Sequence, residues 1–539
     1  MEQIMNARKL AVLLFFTLMF HNVAKAWDFD WISQFGTTES DIAGGIAADS
    51  SGVYVAGSTI GVFPGQSAVG GIDVYLRKYS FTGSVLWTRQ FGTASDDDTV
   101  GPSGAVATDS TGVYIGGTTD GTLPGQTSAG NDDAFVRKYS PSGDLMWTRQ
   151  FGTTTDDLVS GVAVHSSGVY VVGYTTGTFP GAPGGNGADV YIAKLAPDTG
   201  NTIWVRQFGV RGSSTDLAGV DVDSTGVYVA GLHATGDVNI PQAHLRHYDF
   251  NGNVVWERPI PNYNGYFFVL WSVSVHPTGV YITGQVNESY FGDSERGNGG
   301  APQIVGLLRK YDIEGNEKWT RKIKGESDGG QPFTGGKRVR VSDAGVFVSS
   351  NLSGLFAGQF PVGSQSDVNE CRTRFGRFYD TLDAYVRMYD FDGNVVWTRQ
   401  FGSRRFDIAL DLAPVGNSVY VLGDSACRID PSQTLIGVRD AYVLQMTANP
   451  TSLPGKIQLI VGQLETLSDA GSLGSQGFDS LVKYLEDALV ALNQGNKPLA
   501  KQQLGAFITE VQKLESSGAL PSTEAAQLVT AANAVIAQL

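Results

Sequence analysis

The chain has 539 residues, of which 69 are Gly and only 17% are charged, with a net charge of −15. At 42% apolar residues it can build a core, which argues against wholesale disorder, and its length is several times that of a typical domain. The acidic balance excludes non-specific nucleic-acid binding, which needs a basic footprint. No apolar run of membrane-spanning length follows the N-terminus.

Residues 1–26 read as a secretory signal. Arg8 and Lys9 form a positive start, residues 10–20 an apolar stretch too short to span a bilayer, and Ala24-Lys25-Ala26 a small-x-small cleavage site. Losing this segment takes the net charge from −15 to −17. A secreted or cell-surface location is expected.

From residue 27 the chain repeats itself. One strand pattern occurs seven times, from GVYVAG at 52–57 to SVYVLG at 418–423. Each copy follows an alternating segment and a turn such as Asp49-Ser50-Ser51-Gly52, so the two strands make a hairpin. A third strand begins at Asp73, Asp133, Asp189, Ala243, Ile304, Asp383 and Asp440. The fourth carries Trp31, Trp87, Trp147, Trp204, Trp256, Trp319 or Trp397. All but Trp31 have Gly four residues earlier, in the turn between third and fourth strands.

The N-terminus thus supplies a lone fourth strand, while the last repeat lacks one. Pairing residues 27–35 with the strand at 440–446 closes a ring of seven four-stranded antiparallel blades over residues 27–447, an all-β propeller. Trp-to-Trp spacings of 52 to 78 residues exceed those of a compact blade. The excess lies in Gly/Pro-rich loops between second and third strands.

The order GVYVxG, loop, DAFVRKY, Gly-xxx-Trp, WTRQFG resembles the bacterial seven-bladed β-propeller repeat, SBBP. Blades 4 to 6 depart from it, with Ala243 and Ile304 in place of the Asp before the third strand. The resemblance implies the fold and export and no single activity.

After a linker at 448–455, apolar residues fall at helical spacing. The sets 457–467, 478–492, 504–514 and 528–536 predict four amphipathic helices forming a small all-α bundle over 456–539. AFITEV (506–511) and AANAVIAQL (531–539) make this tail similar to the FIMAH-type module of exported bacterial proteins. That resemblance implies surface attachment or docking of a partner.

Fourth-to-first and second-to-third connections emerge on one face of such a ring. That loop-rich face is the expected binding surface. Cys371 and Cys427 lie in neighbouring loops there, and in an oxidising compartment a bridge between them is expected. Arg338, Arg372, Arg374, Arg404 and Arg405 belong to a basic region on an otherwise acidic chain, suited to an anionic glycan or to pairing with local acids. Tyr263, Tyr266, Phe267 and Trp271 could stack on sugar rings or simply fill a core. Asp97, Asp98 and Asp157 are weak calcium candidates; their spacing matches no known calcium loop, and Asp also caps turns. Otherwise no cofactor or metal site is expected.

His244 and His247, three apart on one strand, face opposite sides and do not form a metal pair. No nucleophile elbow or phosphate-binding loop occurs, so a non-enzymatic role is the leading expectation. The primary reading is an exported binding or scaffolding propeller for an extracellular glycan or protein. The alternative is a hydrolase or lyase acting on an extracellular polymer in the central funnel.

Overall fold

The computed structural model describes residues 29–539 apart from 100–104, 183–188, 209–218, 235–240, 261–267, 288–303, 326–333, 358, 360–381, 404–405, 431–432, 438 and 449. The signal segment therefore lies outside the described residues. Seven antiparallel sheets follow one another along the chain, and the strand Phe29–Phe35 joins the last of them. It pairs antiparallel with Asp440–Thr447, setting Phe29 opposite Met446 and Phe35 opposite Ala441. The first strands of neighbouring blades pack against one another all round the ring. They line its central channel. In blade 2 this strand is described in two pieces, Asp97–Asp98 and Val106–Asp109.

Alternation along the second strand explains the packing. In Gly52–Thr59 every residue is buried. Val53 and Val55 join the cluster shared with blade 7, whereas Tyr54 and Ala56 join the one shared with blade 2. Successive side chains of a strand point to opposite faces, so each blade feeds both of its seams and the core is distributed between blades.

The repeated Trp is the staple of each seam. Its indole N–H donates to a carbonyl in the third-to-fourth turn of the next blade. Trp31 bonds Phe81 O, Trp87 and Trp147 bond Pro141 O and Pro197 O, and Trp204, Trp256 and Trp319 bond Phe250 O, Ile313 O and Phe391 O. The turn Gly answers the Trp of the preceding blade as well as its own turn. Gly143 has φ +87°, and a Cβ there would sit 2.9 Å from the Trp87 ring.

Trp397 finds no such turn ahead of it. Its N–H donates instead to Ala448 O at 2.6 Å, where the chain leaves the propeller. Four helices follow: α1 (Leu453–Asp469), α2 (Ser475–Asn493), α3 (Lys497–Ser516) and α4 (Ser522–Ile536). Ser452 caps α1 by accepting from Gly455 N–H, and the apolar stripes meet in one core around Ile460, Leu485, Phe507 and Leu528. α1 also covers the outer edge of blade 6. Gly462 rides on the carbonyls of Val395 and Val396, Thr466 Oγ1 accepts from Val395 N–H, and Arg387 pairs with Glu465 at 2.9 Å. Val395 is 6% exposed beneath it, against 50% for Val85 at the same place in blade 1.

Candidate functional site

Two polar systems lie beneath the loop-rich face. The first is a latch at the blade seams. The Gln of the fourth strand donates to the Asp that opens the third, as Gln90 to Asp73, Gln150 to Asp133, Gln207 to Asp189, Gln400 to Asp383 and Gln34 to Asp440. The Asp opening the next first strand accepts from the loop before it. Asp41, Asp97, Asp157 and Asp407 take the N–H of Thr37, Thr93, Thr153 and Ser403. At the first seam a Cβ on Gly92 would lie 2.4 Å from Asp73 Oδ1 and 2.8 Å from Asp97 Oδ2. Only Gly leaves room for both carboxyls. Burial raises the carboxyls of Asp41, Asp97 and Asp157 above their ordinary value, and pushes Asp383 and Asp407 up to about 7.

These bonds also locate the calcium candidates. Asp97 and Asp157 are fully buried loop acceptors, and Asp98 accepts from Ser58 Oγ of blade 1. Among the described residues no three His, Cys, Asp or Glu side chains converge as a metal site.

The second system is a charged array lining the channel in blades 4 to 7. Arg338 Nε stands 2.6 Å from Asp411 Oδ1, and Arg340 reaches the same oxygen at 3.3 Å. Asp411 Oδ2 accepts from Ile46 N–H of blade 1. On blade 4, Asp221 accepts from Ser274 Oγ and Val275 N–H of the adjoining blade 5, and feels the Arg340 charge. Nearer the loop-rich face, Arg439 pairs with Asp424 at 2.5 Å, and Asp424 accepts from Ala43 N–H. Lys337 Nζ lies 5.3 Å from the centre of the Trp271 ring, with Asp424, Arg439 and Arg338 in its field. Gly335 and Gly336, pressed against blade 5, open the way for it. A Cβ on Gly336 would meet Thr283 Oγ1 at 2.4 Å.

Burial governs the protonation of this array. It lowers the Lys337 ammonium and brings Arg338 down to about 10, while it raises the carboxyls of Asp424 and Asp221. The channel therefore sets a weakened acid and a weakened base in one electrostatic neighbourhood.

Of the sequence candidates, Arg338 is 1% exposed inside the ring rather than on the loop surface. Trp271 is partly buried beside Lys337. Tyr263, Tyr266, Phe267, Arg372, Arg374, Arg404 and Arg405 lie outside the described residues. The expected Cys371–Cys427 bridge falls on Cys371, which lies outside the described residues, and no free cysteine stands among those described. Cys427 is buried, its carbonyl accepting from Gln34 Nε2 and Ser425 Oγ. His244 pairs with Glu257, while His247 stacks flat on Tyr228 at 4.3 Å.

Asp221, Asp411, Asp424 and Arg439 were not singled out from the sequence. Their signal lies in the repeat itself. Facing the second-strand Tyr or Phe, blades 1 to 3 carry Ala47, Ala107 and Ala163, whereas blades 4, 5 and 6 carry Asp221, Ser274 and Arg340. Two residues earlier, Gly45 and Gly161 of blades 1 and 3 give way to Ser272, Arg338 and Asp411 in blades 5, 6 and 7.

Comparison with known proteins agrees with this architecture. Residues 30–64 match the model of the SBBP β-propeller repeat family. That match falls in the propeller and leaves the FIMAH-type resemblance of the tail without support; what stands is a bundle of four helices. The chain is 25% identical over 409 residues to the regulatory protein FlaEY of Caulobacter vibrioides, covering 72% of this chain and 38% of that protein. It thus spans well under half of that relative.

Solved structures similar in fold include the phage phi92 endosialidase (TM-score 0.39, 9% identity, 78% of this chain and 69% of that one). The polysaccharide lyase Uly1 is another (TM-score 0.40, 9% identity, 77% and 91%). So is the β-propeller domain of the Trilobed protease from Pyrococcus furiosus (TM-score 0.37, 8% identity, 77% and 97%). The leading expectation of a non-enzymatic role is withdrawn: a fold hosts many unrelated activities, so the absence of a familiar motif does not set catalysis aside. Among the described residues no helix is long and apolar enough to cross a membrane. The chain is a seven-bladed, SBBP-like β-propeller carrying a C-terminal four-helix bundle.

Proposed function

We propose that the protein is exported and acts on an extracellular polysaccharide that enters the channel from the loop-rich face. One observation carries this reading: Lys337 and Asp424, their protonation shifted toward neutrality by burial, share the channel mouth in blades 6 and 7. Groups tuned in opposite directions within one concavity are the usual apparatus of general acid–base chemistry. Lys337, whose ammonium burial makes easier to deprotonate, is the candidate base, and Asp424, whose carboxyl is raised, the candidate proton donor. Glycosidic cleavage by hydrolysis or elimination is the reaction class.

A binding role without turnover remains the second reading, because Asp424 is already held by Arg439 and by Ala43 N–H. The mature chain would be incubated with neutral and acidic polysaccharides while new reducing ends and absorbance near 235 nm are followed. Cleavage lost in Lys337→Met and Asp424→Asn supports the enzyme. Retention of polymer without any new chain ends would replace it with the binding reading.

A further inference from the structure

The cations around the channel are not fully used by the acids beside them. Arg338 Nη1 is buried and has no hydrogen-bond acceptor among the described residues, and Arg439 Nε is in the same position. Lys337 Nζ has the Trp271 ring beside it and no carboxylate within ion-pair distance among the described residues. A buried guanidinium N–H without an acceptor is costly, and such groups in a folded protein call for an explanation. Arg338 is 1% exposed, so bulk water does not serve that donor.

The charge count narrows the missing acceptor. Among the described residues, Arg338, Arg340 and Arg439 face Asp221 and Asp411, and Lys337 and Asp424 cancel whether both are ionised or both neutral, leaving a single positive charge in excess. A monoanion balances that excess. A phosphate dianion would overshoot it and meet three carboxylates. Guanidinium groups present a planar fork of donors that matches a carboxylate. The partly buried indole of Trp271 next to Lys337 offers an apolar wall of the kind on which a sugar ring packs.

We infer that the mouth of the channel is a carboxylate subsite for the uronic-acid residues of an acidic polysaccharide, held by Lys337 and Arg439 beside Trp271, with the buried Arg338 adding positive charge behind them. The inference rests on the reading that a polysaccharide enters this channel, and it adds the substrate class. Nothing in it requires the polymer to be cut.

Affinity electrophoresis of the full mature chain tests it, with polygalacturonate, alginate and hyaluronan as probes. Carboxyl-reduced polygalacturonate and dextran sulfate are the comparison arms. At least one uronate polymer should retard the protein, and neither the carboxyl-reduced polymer nor dextran sulfate should match it. Lys337→Met and Arg439→Gln should each weaken retardation by about tenfold or more, the scale of losing a charge-assisted bond. Both positions are used because Arg338 is part of a buried pair whose removal threatens the fold.

Equal retardation by the carboxyl-reduced polymer, a preference for dextran sulfate, or full affinity in both variants would overturn the subsite. Cleavage of a neutral polymer with no uronate preference would remove the subsite while leaving the proposed activity standing. Neither binding nor cleavage of any polymer would remove both.

Discussion

Blades 1 to 3 and blades 4 to 7 are built on one strand pattern, yet they line the channel in opposite ways. In the first group the inner strand carries Gly and Ala, and the ring closes by contact. A Cβ at Gly44 of the inner strand would lie 2.6 Å from Thr99 Oγ1, and behind it one at Gly116, on the second strand of blade 2, would lie 2.7 Å from a Val162 methyl. In the second group Asp221, Arg338, Arg340 and Asp411 stand at the matching places and meet as ions. The stapling Trp and turn Gly recur through both groups. A repeat that fixes the blade seams from outside thus leaves the inner strand free to diverge, and the divergence is confined to one side of the channel.

That contrast can be broken first at its charged side. Arg338→Met leaves the buried Asp411 charge with the longer Arg340 contact and two backbone N–H donors, and should cost about 3–5 kcal/mol in urea unfolding. Adding Asp411→Leu should recover most of the loss, because a buried pair replaced whole by apolar groups is often neutral. A double variant as unstable as the single one would show that the pair itself holds the inner ring.

Next comes the seam between blades 6 and 7. Asp383 and Asp407 are pushed up to about 7, above their unfolded value. Their contribution to stability is complete below the unfolded pKa and is lost as pH rises through about 7. The melting temperature should therefore fall between about pH 4 and pH 7 and level off above it, and Asp407→Asn should flatten that fall. Hydrogen exchange should loosen at this seam before it loosens at the seam between blades 1 and 2.

Two smaller changes test the regular side. Gly143→Ala forces a side chain into positive φ against the Trp87 ring and should cost about 1–3 kcal/mol. Trp147→Phe keeps much of the packing and loses the bond to Pro197 O, which should cost about 1 kcal/mol. An unchanged melting temperature in either variant would argue that the seams are held by apolar packing alone.

Much of this was legible in the sequence. Seven copies of four strand motifs and a lone Trp31 before the first complete blade lead directly to the closed ring. The spacing of Ile457, Ile460, Leu464 and their successors leads to the helices, because both periodicities record which face is buried. The candidate site was less legible. Loop cations drew attention for their density, whereas the charges that meet in the channel are scattered between residues 221 and 439 and come together only through closure. Arg338 was picked out for its charge, and its burial follows from standing where blade 1 has Gly45, a comparison between repeats rather than within one. Nor does a period predict that α1 would dock on blade 6. That contact depends on Gly462 fitting against an edge strand far away in the chain.

The pairing of Phe29–Phe35 with Asp440–Thr447 has a consequence for how the molecule is made. The earliest strand to emerge must wait for almost the last before it finds a neighbour, across more than four hundred residues. Until then blade 7 has an open edge, and contacts of such long range are slow to form. Wherever the chain is released, it remains an unclosed circle until that last strand arrives as the clasp. Trimming a few residues from the front of the propeller should then have the same outcome as removing its final strand: an opened ring.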